Sequence, residues 1–133
     1  MADNANVELV TRGYEAFNKA DIETLSAMFD ENAVQHIPGD SVIAGDKVGR
    51  DAILGYYAQI GELTDGTFSA ALESATADGP DKVVAKHHAQ GKRGDEVLDA
   101  HDTLVFTIKD GKFVDLDEQY ADQSVSDAFW GRG

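Results

Sequence analysis

Residues Leu98–Phe106, LDAHDTLVF, alternate between two faces in the manner of a strand: Leu98, Ala100, Asp102, Leu104 and Phe106 share one, and Asp99, His101, Thr103 and Val105 the other. The first face is apolar except at Asp102. An ionised carboxylate is costly to bury unless it is paired or hydrogen-bonded, so Asp102 is either satisfied structurally or looks into a pocket.

The strand extends in both directions into a regular series. From Gly66 onward the runs TFSAALESATA, KVVAKHHAQG, EVLDAHDTLVFTI and FVDLDEQYAD are separated by DGPD, KRGD and KDGK, which is turn chemistry. Four consecutive strands joined by short turns predict an antiparallel meander. Upstream, Val7, Val10, Tyr14 and Phe17 fall at helical spacing, and a second helix over ADIETLSAMF restarts with Asp21 as N-cap. NAVQHIP reads as a short strand ended by Pro38, Gly39–Gly49 as a loop, and GRDAILGYYAQIGEL as a third helix. SVSDAFWG reads as a short closing helix docked through Phe129 and Trp130. Helices first and a meander afterwards predict an α+β fold with the helices over one face of the sheet.

The same alternation test finds three more ionisable residues among apolar neighbours. His87 shares a side with Val83, Ala85 and Ala89. Glu118 sits with Val114, Leu116 and Tyr120, and His36 with Val34. A lone histidine on an apolar face is often a core residue bonded to a backbone carbonyl, and a lone acid often marks a rim or a bulge. Four such residues on faces that should converge point instead to a cleft. Tyr14, Phe17, Phe29, Tyr56, Phe68 and Trp130 read as core and cavity lining. His88 and His101 face the other way, toward solvent or a second copy.

Composition narrows the classes of function. The chain has 133 residues, enough for one domain over 1–133, with fraying expected at 1–5 and 131–133. Twenty-five acidic against eleven basic side chains, for a net charge of -14, leave no clustered cations for nucleic acid. MADNANVE has neither a basic region nor an apolar segment, and the apolar runs are short. No signal peptide or membrane partner is expected, and a cytoplasmic location is. There is no cysteine, hence no disulfide and no thiolate chemistry.

The segments RGYEAFNKADIETLSAMFDENAVQHIPG, GRDAILGYYAQIGEL, VVAKHHAQGKRGDEVLDAHDTLVF and DGKFVDLDEQYADQ, in this order and spacing, resemble the SnoaL-like group of the nuclear-transport-factor-2-like superfamily. That superfamily also holds ketosteroid isomerases, polyketide cyclases, limonene epoxide hydrolases and scytalone dehydratases. The resemblance implies a curved antiparallel sheet wrapped by N-terminal helices into a cone with an apolar cavity, and a homodimer through the outer sheet surface. It places Asp102 at the oxyanion-hole acid of ketosteroid isomerases, Tyr57 at their supporting tyrosine, His36 at their general base, and Tyr14 beside their oxyanion tyrosine. Ala100 stands where limonene epoxide hydrolases keep an arginine.

The implied function is acid/base proton transfer on an apolar carbonyl compound, with His36, Asp102 and Tyr57 catalytic. His87, Glu118, Tyr14, Phe17, Tyr120 and Leu104 would line the ligand site. The alternative is a non-catalytic binder of a hydrophobic small molecule. A site of two histidines and a carboxylate for a metal is a third reading, but no HxH or HxxxH spacing supports it, so neither metal nor other cofactor is expected.

Overall fold

The computed structural model describes residues 2–131. Helix α1 (Ala2–Asn18) is followed by α2 (Ile22–Met28), β1 (Phe29–Ile37), β2 (Gly45–Val48), α3 (Arg50–Leu63) and β3 (Ser69–Asp78). Then come β4 (Lys82–Arg93), β5 (Glu96–Lys109), β6 (Lys112–Gln119) and α4 (Gln123–Trp130). The fraying expected at residues 1, 132 and 133 lies outside the described residues.

Local chemistry accounts for the boundaries. Ala20 takes a positive φ of 56° between α1 and α2, and the Asp21 side chain then accepts from the Thr24 N–H to cap α2. Asp122 caps α4 in the same way through the N–H groups of Ser124 and Val125. Asp110 and Gly111, both at positive φ, form the tight turn between β5 and β6.

All six strands join one sheet in the order β2-β1-β6-β5-β4-β3. The meander β3 to β6 is antiparallel as expected, with Asp102 directly opposite His87 and Leu104 opposite Glu118. Two features depart from the sequence reading. β1 runs parallel to β6, so the sheet is mixed and mostly antiparallel. The stretch expected as a loop over Gly39–Gly49 contains β2, an edge strand antiparallel to β1. β2 is short and exposed on both faces except at Lys47, so no hydrophobic alternation announces it.

α1 packs on β3 and β4, α3 on β1 and β2, and α4 on β5, and among the described residues no helix covers the opposite face of the sheet. Val10, Ile53, Val83 and Phe113 form the centre of the larger core. A second cluster joins Ile43, Tyr56, Leu98 and Trp130, where α4 closes the far end of the sheet. Burial of aromatic and aliphatic side chains at ~25 cal/mol per Å² is the main force holding helices to sheet. Among the described residues, no helix is long and apolar enough to cross a membrane.

Candidate active site

Between the helices and the inner face of the sheet lies a cavity of about 70 Å³. Aromatic rings form about half of its wall: Tyr14 and Phe17 from α1, Phe29 from β1, Tyr56 and Tyr57 from α3, Phe68 before β3, and Phe106 and Phe113 from β5 and β6. Among the described residues the polar lining consists of Gln35, His87, Glu118 and the tyrosine hydroxyls, with no lysine or arginine.

The strands set this polar group by register. His87 and Asp102 face each other across β4 and β5, and Glu118 sits one strand further on. The Tyr14 hydroxyl lies 2.6 Å from His87 Nδ1. On the other side of the ring, His87 Nε2 is 3.8 Å from Glu118 Oε2, too far for a hydrogen bond. Both side chains are almost completely buried, at 6% and 9% exposure. Glu118 Oε2 has no hydrogen-bond partner among the described residues. Donation by the Tyr14 hydroxyl to Nδ1 leaves the His87 proton on Nε2, facing that oxygen.

Burial governs the charge states. Desolvation pushes the Glu118 carboxyl up to about 8, helped by the neighbouring Asp102 and Asp117, so it holds its proton at neutral pH. Desolvation pulls His87 down to about 4, so the imidazole is neutral. Tyr14 and Tyr57 are both raised, first by burial and then by Glu118, and remain phenols. Asp102 is also raised by burial, but its Oδ1 accepts the Ala121 N–H at 2.9 Å, which favours the carboxylate and offsets part of that shift. Two carboxyl groups thus sit side by side with different proton affinities.

Of the residues singled out from sequence, Tyr14, Phe17, Tyr57, His87, Leu104 and Glu118 line the cavity. Asp102 is buried immediately behind, with a carboxylate oxygen within 4.8 Å of ligand atoms of His87 and Glu118. Tyr120 does not line the cavity; β6 ends at Gln119, and Tyr120 packs against the second core cluster instead.

His36 is a correction. Its ring lies on the outer face, 39% exposed, with Nδ1 bonded to Asp46 and Nε2 to Asp115, each at 2.8 Å. Those two bonds raise its pKa, Asp46 contributing more than Asp115. The inward residues of β1 are Ala33, Gln35 and Ile37. Gln35 was missed as a site residue: only 2% exposed, it accepts the Tyr57 hydroxyl at 2.7 Å. Its signal was the shared parity with Ile37.

His87, Asp102 and Glu118 also present three ligand atoms within 4.8 Å of one another. A carboxylic acid that holds its proton and lies in an apolar wall is a weak metal ligand, since binding requires deprotonation. The arrangement suits proton transfer better.

A model of the SnoaL-like domain matches residues 10–116. An uncharacterized protein of Mycobacterium tuberculosis is 29% identical over 130 residues, 98% of this chain and 99% of its own. Among solved structures, Bal32a from a soil-derived mobile gene cassette is 40% identical, with a TM-score of 0.96 over 98% of this chain and 100% of its own. A candidate polyketide cyclase from Sinorhizobium meliloti is 26% identical, with a TM-score of 0.71 over 84% of this chain and 94% of that one. TerC, co-crystallised with polyporic acid, shares the fold at 19% identity and a TM-score of 0.82, over 94% and 97% of the two chains.

Proposed function

The chain belongs to the SnoaL-like domain family, and from that premise we propose that it is a small-molecule enzyme carrying out acid/base proton transfer on a neutral, largely apolar carbonyl compound. The observation that carries the reading is Glu118, a carboxyl group buried at an aromatic-walled cavity, unpartnered at Oε2, with its pKa raised to about 8. A general base works best with a pKa near the operating pH. In this reading Glu118 takes a proton from the carbon beside the carbonyl and returns it elsewhere on the substrate.

The remaining groups then have distinct tasks. The neutral His87 offers Nε2–H to the oxygen on which enolate charge develops, with Tyr14 holding the ring through Nδ1. Tyr57 donates its hydroxyl proton to Gln35 Oε1, so its phenol holds that buried amide at the cavity wall and leaves the enolate oxygen to His87. Asp102 lies behind the carboxyl group, a carboxylate oxygen within 4.8 Å of it and outside the cavity lining, and its charge raises the proton affinity of Glu118. Among the described residues the lining has no cation to pair a carboxylate or phosphate, which favours an uncharged substrate. One water needs roughly 10–15 Å³ on the same measure, so the space suits a molecule of about one ring. TerC, which shares the fold, was crystallised with a small organic molecule, polyporic acid, and this supports a small-molecule occupant in general terms.

Hydrogen–deuterium exchange at the α-carbon of small neutral aryl ketones, followed by NMR in D₂O near pH 8, tests the reading. Exchange faster than buffer and reduced about 10²-fold in Glu118→Gln is expected. Ligand binding without any exchange would make the chain a binding protein for a hydrophobic small molecule.

A further inference from the structure

On the bare face of the sheet, opposite the cavity, three strands bring together His88, Asp99, His101 and Glu73. His88 and His101 are directly paired across β4 and β5, and their imidazole rings stack with centroids 4.2 Å apart and planes 12° apart. Asp99 lies two residues before His101, on the same face, and its Oδ1 is bonded to His88 Nε2. One ligand atom from each of His88, Asp99 and His101 falls within 4.8 Å of the others. Glu73, the extra residue where the β3–β4 register shifts between Leu72 and Ser74, reaches across to His101 Nδ1 at 2.9 Å.

We propose that His88, Asp99 and His101 form a site for a borderline divalent transition ion, of which zinc is the type. Two imidazoles and a carboxylate are the donors such ions take, and hard ions such as magnesium are not served by imidazole. Glu73 supplies the orienting partner that metal-bound histidines carry: accepting Nδ1–H, it fixes the tautomer of His101 and leaves Nε2 as the lone pair. The strands hold the two rings next to each other, and binding turns them out of their stack so that an in-plane lone pair from each meets the ion. The net charge of -14 adds a long-range attraction for cations. In the single chain His101 is 60% exposed and Asp99 64%, so the remaining coordination position goes to water or, where a second copy packs on this face, to a group at the seam.

Calorimetric titration of the full chain with zinc chloride at pH 7.5, in a non-chelating buffer, tests the site. Saturation at one ion per chain with a Kd below about 100 µM is expected, and no heat with magnesium chloride. His101→Ala or Asp99→Asn should abolish binding, and Glu73→Gln should weaken it about tenfold, as loss of an orienting partner does. Glu118→Gln, which alters the interior set, should leave zinc binding unchanged. No saturable binding, binding unaffected by His101→Ala, or binding lost in Glu118→Gln would each overturn the proposal. Because every substituted residue on this face is at least partly exposed, circular dichroism is expected to show the fold retained in all three variants.

Discussion

The Tyr14 hydroxyl sits 2.6 Å from His87 Nδ1, joining α1 to the centre of β4 inside an otherwise apolar wall. The bond spans 73 residues of sequence and ties the first helix to the sheet at the level of the cavity. Removing the hydroxyl in Tyr14→Phe leaves a buried imidazole nitrogen unpaired, which costs about 1–3 kcal/mol. Urea denaturation at pH 7 measures it. A midpoint unchanged from the parent would show that the bond contributes nothing to stability.

Stability should depend on pH in a way that isolates Glu118. The folded state holds the Glu118 proton up to about 8 against an ordinary 4.5, so it binds more protons than the unfolded chain in between, and stability falls as pH rises through that range. His87 works in the opposite sense. Its folded value of about 4 lies below 6.5, so its contribution rises with pH between those values and largely cancels that of Glu118 there. Between pH 6.5 and 8 Glu118 stands unopposed by His87. His36 and His101, both raised by carboxylate partners, also lose stability as pH climbs, so the comparison must be with Glu118→Gln, which keeps them. The parent should lose stability relative to that variant by a slope approaching ~1.4 kcal/mol per pH unit. Parallel stability curves for the two proteins would remove the raised carboxyl from the site.

Alternation locates His87, Asp102 and Glu118 on inward faces because β4 and β5 are long and regular around them and β6, after a register shift between Phe113 and Asp115, keeps phase from Leu116 to Glu118. It fails in β1 for a physical reason. The pairing with β6 shifts between Phe29 and Val34, and the inward position is held by a polar residue, Gln35, while the outward one carries Val34. Reading the apolar Val34 as the core side therefore turns His36 inward by mistake. Gln35 can be buried only because Tyr57 on α3 meets its carbonyl, a partner 22 residues away that no local pattern contains. β2 is hidden for a related reason: an exposed edge strand has no face to bury, so nothing in its residues reports the pairing.

His36 belongs to the surface, and its removal should show this. Both of its bonds are to half-exposed carboxylates, so His36→Ala should cost less than about 1 kcal/mol. Its raised pKa means that this contribution is fully present below 6.5 and is lost as pH rises through the folded value, so the cost should be larger at pH 6 than at alkaline pH. Uptake of a hydrophobic fluorescent dye into the cavity should be unchanged. Loss of dye binding would place His36 in contact with the site through a rearrangement of β1.

The bare outer face is where pairing with a second copy is expected, and we propose a homodimer formed there. Thr103 lies near its middle, opposite Lys86 on one side and Gln119 on the other. A bulky charge at that point would separate two packed sheets, so Thr103→Arg should convert a particle of about twice 14.3 kDa into a monomer by light scattering at 10 µM. A parent protein already monomeric at that concentration would exclude this interface.

Asp102→Asn addresses the carboxylate in LDAHDTLVF directly. An asparagine keeps the shape, and its carbonyl oxygen can still accept the Ala121 N–H, so a purely structural role is largely preserved. What disappears is the charge beside Glu118, which is one of the causes raising the Glu118 carboxyl. The variant should therefore be as stable as the parent or more so at pH 7, because a desolvated carboxylate has been removed. Glu118 should titrate at lower pH, moving the falling limb of the stability curve toward acid and the pH optimum of α-proton exchange with it. A histidine, tyrosine or glutamate variant cannot produce that combination of unchanged stability and shifted optimum. Clear destabilisation of Asp102→Asn, with the optimum where it was, would instead mark Asp102 as a backbone anchor for the chain at Ala121 and leave Glu118 tuned by burial alone.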